Sequence, residues 1–208
     1  SDEDKQKAYV EVSGRKGLGV KADDLLDKLI ETALREVTSR NAEAPEAERR
    51  EIAGQIAVAA LRYFMLKFTR NTVIAFDMQE ALSFTGETGP YVQYAAVRAN
   101  KILTKVAAEI PAEVPGEFLA DEELWQLLLA TSKLDSALER SLGSGEPAHM
   151  ARFAFQLAQS FSSFYDHFSV LHEPNEERKK LLLWMTAYFA RQLQRTLAIL
   201  GIPVPKYM

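Results

Sequence analysis

From Asp23 onward, apolar residues recur at steps of three and four, the spacing that places them on one face of an α-helix. This pattern predicts helices throughout the rest of the chain, over 23–40, 45–68, a short segment from Asp77 that ends before Gly86, 88–109, 121–130, 132–142, 150–168 and 182–200. The last two have the most regular apolar stripes. The segment "IPAEVPGEF" after Glu109 has the prolines and glycine typical of a linker.

The residues before Asp23 have a different pattern. Ala8 to Val12, "AYVEV", alternates as a short β-strand does, and the following "SGRKGLG" is typical of a loop. The predicted fold is therefore all-α, a helical bundle with a short strand and loop at its N-terminus.

Composition and charge narrow the possible functions. The 208 residues are 47% hydrophobic and 26% charged, as in a soluble globular protein, and they include no Cys. Disulfides, thiolate zinc sites and thiol nucleophiles are thereby excluded, and the cytoplasm is the expected compartment. No apolar run is long enough to cross a bilayer, and the charged start "SDEDKQKAYV" is unlike a signal peptide. With a net charge of −4, binding to nucleic acid requires one local basic face.

The helix within "FTGETGPYVQYAAVRANKIL" carries such a face. Tyr91, Tyr94, Arg98 and Lys101 follow one another at steps of three, four and three, so they share one side of the helix. Tyrosines stack on bases, and arginine pairs with phosphates or base edges, which is the chemistry used to bind single-stranded RNA. The alternative is that the tyrosines pack against a neighbouring helix.

A second candidate is the segment "VSGRKG". Its glycines allow backbone N–H groups to approach an anion, and Arg15 and Lys16 add two positive charges. The alternative is a solvated linker. Other chemistry is disfavoured: the three histidines lack zinc-ligand spacing, and there is no nucleophile elbow, Walker loop or dinucleotide fingerprint. Acid pairs such as Glu122 and Glu123 stand at helix starts, where the helix dipole accounts for them.

Four stretches, in order, resemble the C-terminal part of the arginyl-tRNA synthetases, which are class I aminoacyl-tRNA synthetases. "VSGRKG" resembles their Lys-Met-Ser-Lys-Ser-type loop, and "GETGPYVQYAAVR" is similar to the signature that opens their anticodon-binding domain. "LAQSFSSFYDHFSVL" is similar to their Phe-x-x-Phe-Tyr helix, and "LGIPVPKYM" to their C-terminus. The sequence departs from the family at Glu11, Val12 and Ser162. It also lacks the His-Ile-Gly-His motif and nucleotide-binding strands.

The resemblance implies a C-terminal fragment with three parts: a catalytic-domain remnant (1–22), a helical connector (23–86) and an anticodon-binding helical domain (87–208). It implies that the full-length parent uses ATP with Mg²⁺ to join arginine to its tRNA, and that the fragment alone is inactive. The implied partner is the tRNA for arginine, and no binding to DNA or to a membrane is expected. The fragment is expected to be a monomer with no metal site and no cofactor of its own.

The resemblance also implies two sets of site residues. The ATP-phosphate loop would comprise Ser13, Gly14, Arg15, Lys16 and Gly17, with Arg15 and Lys16 acting in catalysis. The tRNA-binding residues would be Tyr91, Gln93, Tyr94, Arg98, Lys101, Tyr165 and Met208. Two alternatives remain at this point: the helical domain of another synthetase, such as the glycyl-tRNA synthetase beta subunit, and an all-helical protein-interaction module.

Overall fold

The computed structural model describes residues 19–106, 110, 113 and 116–208. These residues form eight α-helices and one 3₁₀ helix, without a β-strand among them. The α-helices are α1 (Ala22–Arg40), α2 (Glu46–Leu66), α3 (Met78–Ala81), α4 (Gly89–Val106), α5 (Glu122–Ser132), α6 (Leu134–Ser144), α7 (Ala148–His167) and α8 (Glu176–Ile199). The 3₁₀ helix is Gly116–Ala120. The all-α prediction is confirmed, and the strand predicted at Ala8 to Val12 lies outside the described residues.

Local signals in the sequence determine where several helices begin and end. The carboxylate of Asp77 accepts a hydrogen bond from the backbone N–H of Glu80 and caps α3. Thr88 accepts one from the N–H of Tyr91 in the first turn of α4 (3.2 Å). At the other end of the chain, Gly201 follows α8 with a φ of 67°, a left-handed conformation that favours glycine.

Helices α4, α7 and α8 pack around a shared apolar core, to which α2 and α5 contribute. At its centre the rings of Phe161 and Phe189 stack with centroids 4.1 Å apart. Tyr63 reaches into this core from α2, and its hydroxyl donates to the carbonyl of Ala151 on α7 (2.9 Å). Burial is the main reason that the pKa of Tyr63 is raised, and nearby Glu87 raises it further. The phenol therefore remains a neutral donor.

Helices α2 and α4 approach each other at backbone distance. Gly89 lies so near α2 that a Cβ added to it would be 2.1 Å from the carbonyl oxygen of Ala59. This contact spans the boundary predicted at residue 86, so α2 packs directly on the segment expected to form a separate domain. The division of the chain at residue 86 stays a prediction of domain organisation.

The residues after α8 cross back over α2 and α4. The guanidinium of Arg62 on α2 donates to the carbonyl of Leu200 (2.9 Å), and the buried Gln93 on α4 donates to the carbonyl of Pro203 (2.6 Å). The chain then ends with Tyr207 and Met208 packed on the α1–α2 cluster. The C-terminal residues thus join α1, α2 and α4 to the end of α8.

We expect Gly89→Ala to destabilise the fold by at least about 2 kcal/mol, because its methyl group would overlap backbone atoms that cannot rotate away. The matched control is Gly54→Ala on the facing helix, where an added Cβ meets nothing within 4 Å. Since glycine is unfavourable inside a helix, the control should stabilise by about 0.5–1 kcal/mol. Urea unfolding of both variants measures the difference. Equal effects of the two substitutions would contradict the close approach.

Candidate nucleic-acid interface

The outer faces of α4 and α7 meet in a small cluster of aromatic and charged side chains. The guanidinium carbon of Arg98 lies 3.8 Å from the ring centroid of Tyr165 and 5.4 Å from that of Tyr94. Asp166, the next residue on α7, places a carboxylate oxygen 3.9 Å from Arg98 Nη2. We call these four residues, Tyr94, Arg98, Tyr165 and Asp166, the α4–α7 surface.

The packing of α7 explains why Tyr165 and Asp166 face outward. Phe161 and Phe164 are fully buried on the face of α7 that packs on the core, and Phe168, just after the helix, is partly buried against the same core. Positions one and two residues after Phe164 are rotated away from that side by about 100° and 200°, since a helix has 3.6 residues per turn. The sequence of α7 therefore directs one aromatic ring and one carboxylate toward Arg98.

The two outer rings are available to a ligand. Tyr94 and Tyr165 are each 39% exposed, whereas Tyr91 is half-buried. The ring of Tyr91 packs on Phe155 with centroids 5.5 Å apart, and its hydroxyl lies 3.4 Å from the hydroxyl of Ser162. The packing alternative therefore describes Tyr91, while the rings of Tyr94 and Tyr165 present surfaces for stacking. Lys101 is exposed on α4, three residues beyond Arg98.

Gln93 requires a correction. It is 0% exposed, and its amide nitrogen donates to the carbonyls of Gln55 (3.1 Å) and Pro203 (2.6 Å). Its side chain lies inside the protein between α2, α4 and the C-terminal residues, where it has no surface to offer RNA. Adjacent residues of a helix point about 100° apart, so Gln93 and Tyr94 cannot share a face. The structure gives Gln93 a structural role instead.

Met208 packs with residues other than those of the α4–α7 surface. It lines an apolar pocket with residues of α1, Ile56 of α2, Leu82 and Phe84. The guanidinium of Arg40, at the end of α1, lies 4.9 Å from the ring centroid of Phe84 beside it. Neither Tyr94 nor Tyr165 lines this pocket, and a role of Met208 in tRNA binding stays a prediction. The loop Ser13 to Gly17 lies outside the described residues.

A cleft of about 330 Å³ opens next to Tyr165 at the end of α7, which sequence reasoning did not identify. Ile102 contributes to its lining from α4, and the chain from Tyr165 to His172 forms the remainder. On its rim, Nδ1 of His167 lies 2.7 Å from a carboxylate oxygen of Glu123 on α5. That hydrogen bond raises the pKa of His167 and lowers the pKa of Glu123. In the sequence, His167 stands out only as a polar residue beside the buried phenylalanines of α7, and nothing there links it to Glu123.

The chemistry of the α4–α7 surface suits binding. A guanidinium between two partly exposed phenol rings can pair with a phosphate while a base stacks on either ring. Within the described residues, no group of three His, Asp or Glu side chains is arranged to hold a metal ion. The same part of the chain contains no helix that is long and apolar enough to cross a membrane.

Comparisons with known proteins identify the family of this chain. Residues 92–208 match the sequence model of the DALR anticodon binding domain. The arginine–tRNA ligase of Lactococcus lactis (strain IL1403) is 32% identical over 197 residues, 94% of this chain and 34% of that protein. The corresponding ligase of Streptococcus uberis is 34% identical over 198 residues, 95% of this chain and 34% of that protein.

Solved structures give the same fold. The Thermus thermophilus arginyl-tRNA synthetase matches 95% of this chain and 33% of its own with a TM-score of 0.85 at 31% identity. The Plasmodium falciparum enzyme matches 91% of this chain and 34% of its own with a TM-score of 0.81 at 23% identity. The chain thus spans about a third of the length of these relatives. Its helical fold and the match over 92–208 establish that the chain belongs to the DALR anticodon-binding domain family.

Proposed function

We propose that this chain is the tRNA-binding part of an arginine–tRNA ligase and that the α4–α7 surface binds the anticodon loop. The observation that carries the proposal is the position of Arg98, whose guanidinium lies against the exposed rings of Tyr94 and Tyr165. Membership of an anticodon-binding family and the names of the similar proteins support it. A tRNA offers such a surface the unpaired bases of its anticodon loop.

The genetic code indicates how one surface could serve every arginine tRNA. All arginine codons have G in the middle position, so their anticodons share a middle C. A surface that stacks this base on one of the tyrosine rings, with Arg98 on an adjacent phosphate, needs no contact with the variable positions. Stacking contributes about 1–3 kcal/mol per base, enough for useful affinity from two rings.

The catalytic part of the proposal concerns the whole ligase. We infer that it activates arginine with ATP and Mg²⁺ in the cytoplasm as a monomer, and that Ser13 to Gly17 contact the ATP phosphates. Arg15 and Lys16 supply the cations such a loop needs, since negative charge develops on the phosphates during adenylate formation. Arginine, ATP and the tRNA would meet only when these residues are joined to a nucleotide-binding domain.

Tyr94→Ala should weaken binding of an arginine anticodon hairpin by about 1–3 kcal/mol, roughly 5- to 150-fold, because one stacking ring is lost. Its thermal stability should change little, since the ring lies on the surface. Gln93→Ala is the neighbouring control: it removes a buried donor shared by two carbonyls, so it should lower the melting temperature without a specific effect on RNA.

The comparison RNAs are a hairpin with a changed middle anticodon base and a glycine anticodon hairpin. Wild-type protein should bind both of them more weakly than the arginine hairpin. Preference for the glycine hairpin would favour another synthetase, and absence of RNA binding would favour a protein-interaction module. A Tyr94→Ala variant that melts early but binds RNA normally would overturn the proposed role of the α4–α7 surface.

Asp166→Asn should strengthen hairpin binding by up to about fivefold at low salt. The carboxylate competes with phosphate for Arg98 and repels the RNA, and an exposed ion pair of this kind is worth about 0–1 kcal/mol. Asp135→Asn, an exposed acid on α6, controls for the change in net charge. The gain should fade at high salt because the interaction is screened. Weaker binding by Asp166→Asn would instead mean that Asp166 contacts the RNA or orients Arg98.

Lys16→Ala, made in a full-length ligase carrying this segment, should lower the rate of arginine-dependent ATP–pyrophosphate exchange by about 100-fold. A charge that acts on the transition state affects the chemical step rather than tRNA binding. Lys21→Ala, at an exposed lysine five residues later, is the matched control. Equal losses in exchange rate and tRNA affinity would contradict a role at the ATP phosphates.

A further inference from the structure

The solvent-facing side of α8 carries a row of hydrogen-bond donors that the function proposed above does not use. Tyr188, Arg191 and Arg195 recur at steps of three and four, so they lie on one side of the helix. Both arginines are exposed, and neither pairs with a carboxylate of the described residues. Between Leu181 and Ile199 the helix contains no acidic residue at all. We call Tyr188, Arg191 and Arg195 the α8 strip.

Neighbouring side chains hold two members of the α8 strip in place. The nearly buried Gln192 donates through Nε2 to the hydroxyl of Tyr188 (3.3 Å) and accepts through Oε1 from Arg195 Nη1 (3.2 Å). The ring of Trp184 stacks on Tyr188 with centroids 5.4 Å apart. The Tyr188 O–H and most Arg195 N–H groups remain as donors. Such ordering lowers the entropy lost when a ligand binds.

The α8 strip adjoins the helix that carries Arg98. Gln194, on α8, donates to the side-chain carbonyl of Asn100 on α4 (3.1 Å), and packed helices lie about 8–10 Å apart. Helix α4 also contains no acidic residue, and its exposed Lys101 and Lys105 follow Arg98 toward the C-terminal end. Two adjacent helices thus present cations to solvent in a protein whose net charge is −4.

Acidic residues of α5 and α7 also lie near Arg98. Asp166 is in contact with Arg98, and α5 begins with Glu122 and Glu123, the second of which reaches His167 on α7. The carboxylates near Arg98 therefore belong to α5 and α7, whereas the cations belong to α4 and to the second half of α8. An RNA strand held at Arg98 is repelled by these carboxylates and attracted by these cations.

From this arrangement we propose that the α8 strip binds the sugar-phosphate backbone of the stem of the RNA whose loop lies on the α4–α7 surface. The proposal rests on the function proposed above. From Tyr188 to Arg195 the strip spans about 10 Å, at 1.5 Å per residue, the length of about three phosphates along one strand. Its donors face phosphates and not base edges, so it adds affinity and orientation without sequence preference.

The test is the double variant Arg191→Ala/Arg195→Ala. Binding of the arginine anticodon hairpin with its full stem should weaken about tenfold at low salt. The slope of log affinity against log salt should fall by about 2, one for each lost phosphate contact. Hairpins with the native and changed middle base should lose affinity equally, and a single-stranded oligonucleotide of the loop should lose none.

Three controls make the outcome decisive. Lys133→Ala/Arg140→Ala removes two exposed cations at α6 and should leave the hairpin affinity and salt slope nearly unchanged. Arg191→Lys/Arg195→Lys keeps the charges and should retain most of the affinity. Melting temperatures of all variants exclude unfolding. An unchanged salt slope in the double alanine variant, or an equal loss with the loop oligonucleotide, would overturn the proposal.

The two proposals can fail separately. If wild-type protein does not discriminate the middle base, the anticodon function fails, while the stem-dependent salt slope still tests the α8 strip. The remaining alternative is that the α8 strip binds an acidic protein, and competition with poly-glutamate tests it. Poly-glutamate should displace the RNA only at a large molar excess, because its carboxylates lack the spacing of a nucleic acid strand. Displacement by poly-glutamate at the concentration of RNA phosphate would overturn the assignment to RNA.

Discussion

The close packing of α4 against α2 fixes the orientation on which the candidate interface depends. Gly89 removes the side chain that would hold the two backbones apart, and one turn later the amide of Gln93 bonds to a carbonyl of α2 and to one of the C-terminal residues. These two contacts set the rotation of α4 about its axis. Tyr94 and Arg98 therefore face solvent because Gly89 and Gln93 face α2.

A second helix is oriented independently by its aromatic residues. The buried phenylalanines of α7 place Tyr165 opposite Arg98, so the α4–α7 surface exists only when the core has formed around both helices. Exposed rings and an arginine are individually common on protein surfaces. Their convergence from two helices, each fixed by buried contacts, makes this cluster a pre-organised one, which lowers the cost of ordering side chains when a ligand binds.

The sequence predicted the helices well because helix periodicity and capping are local signals. Asp77 and Thr88 cap the predicted starts, and the stripes of α7 and α8 became the buried faces. Gln93 was misassigned because a motif records which residues recur, not which way they face, and an amide can satisfy buried carbonyls as readily as a ligand. The packing of Met208 against α1 and α2 was not predictable for a related reason, since the path of the chain after Gly201 depends on tertiary contacts.

The sequence pattern did not predict the α8 strip, for a different reason. Two arginines on an amphipathic helix are ordinary surface residues, and only a contact such as Gln194–Asn100 shows that their helix lies against α4, which carries Arg98. Whether such arginines can form part of a binding surface thus depends on which helices lie beside them and not on composition.

That distribution of charge matters for specificity as well as affinity. A uniformly basic protein binds any nucleic acid through phosphates, in many orientations. Here the cations of α4 and α8 adjoin carboxylates of α5 and α7, within a chain that is negative overall. An RNA that approaches in another orientation meets acidic residues and is repelled, which is how like charges suppress incorrect complexes. If the two proposed RNA contacts hold, the acids beside Arg98 reduce affinity for every RNA while favouring the orientation that brings a loop to the tyrosines and a stem toward α8.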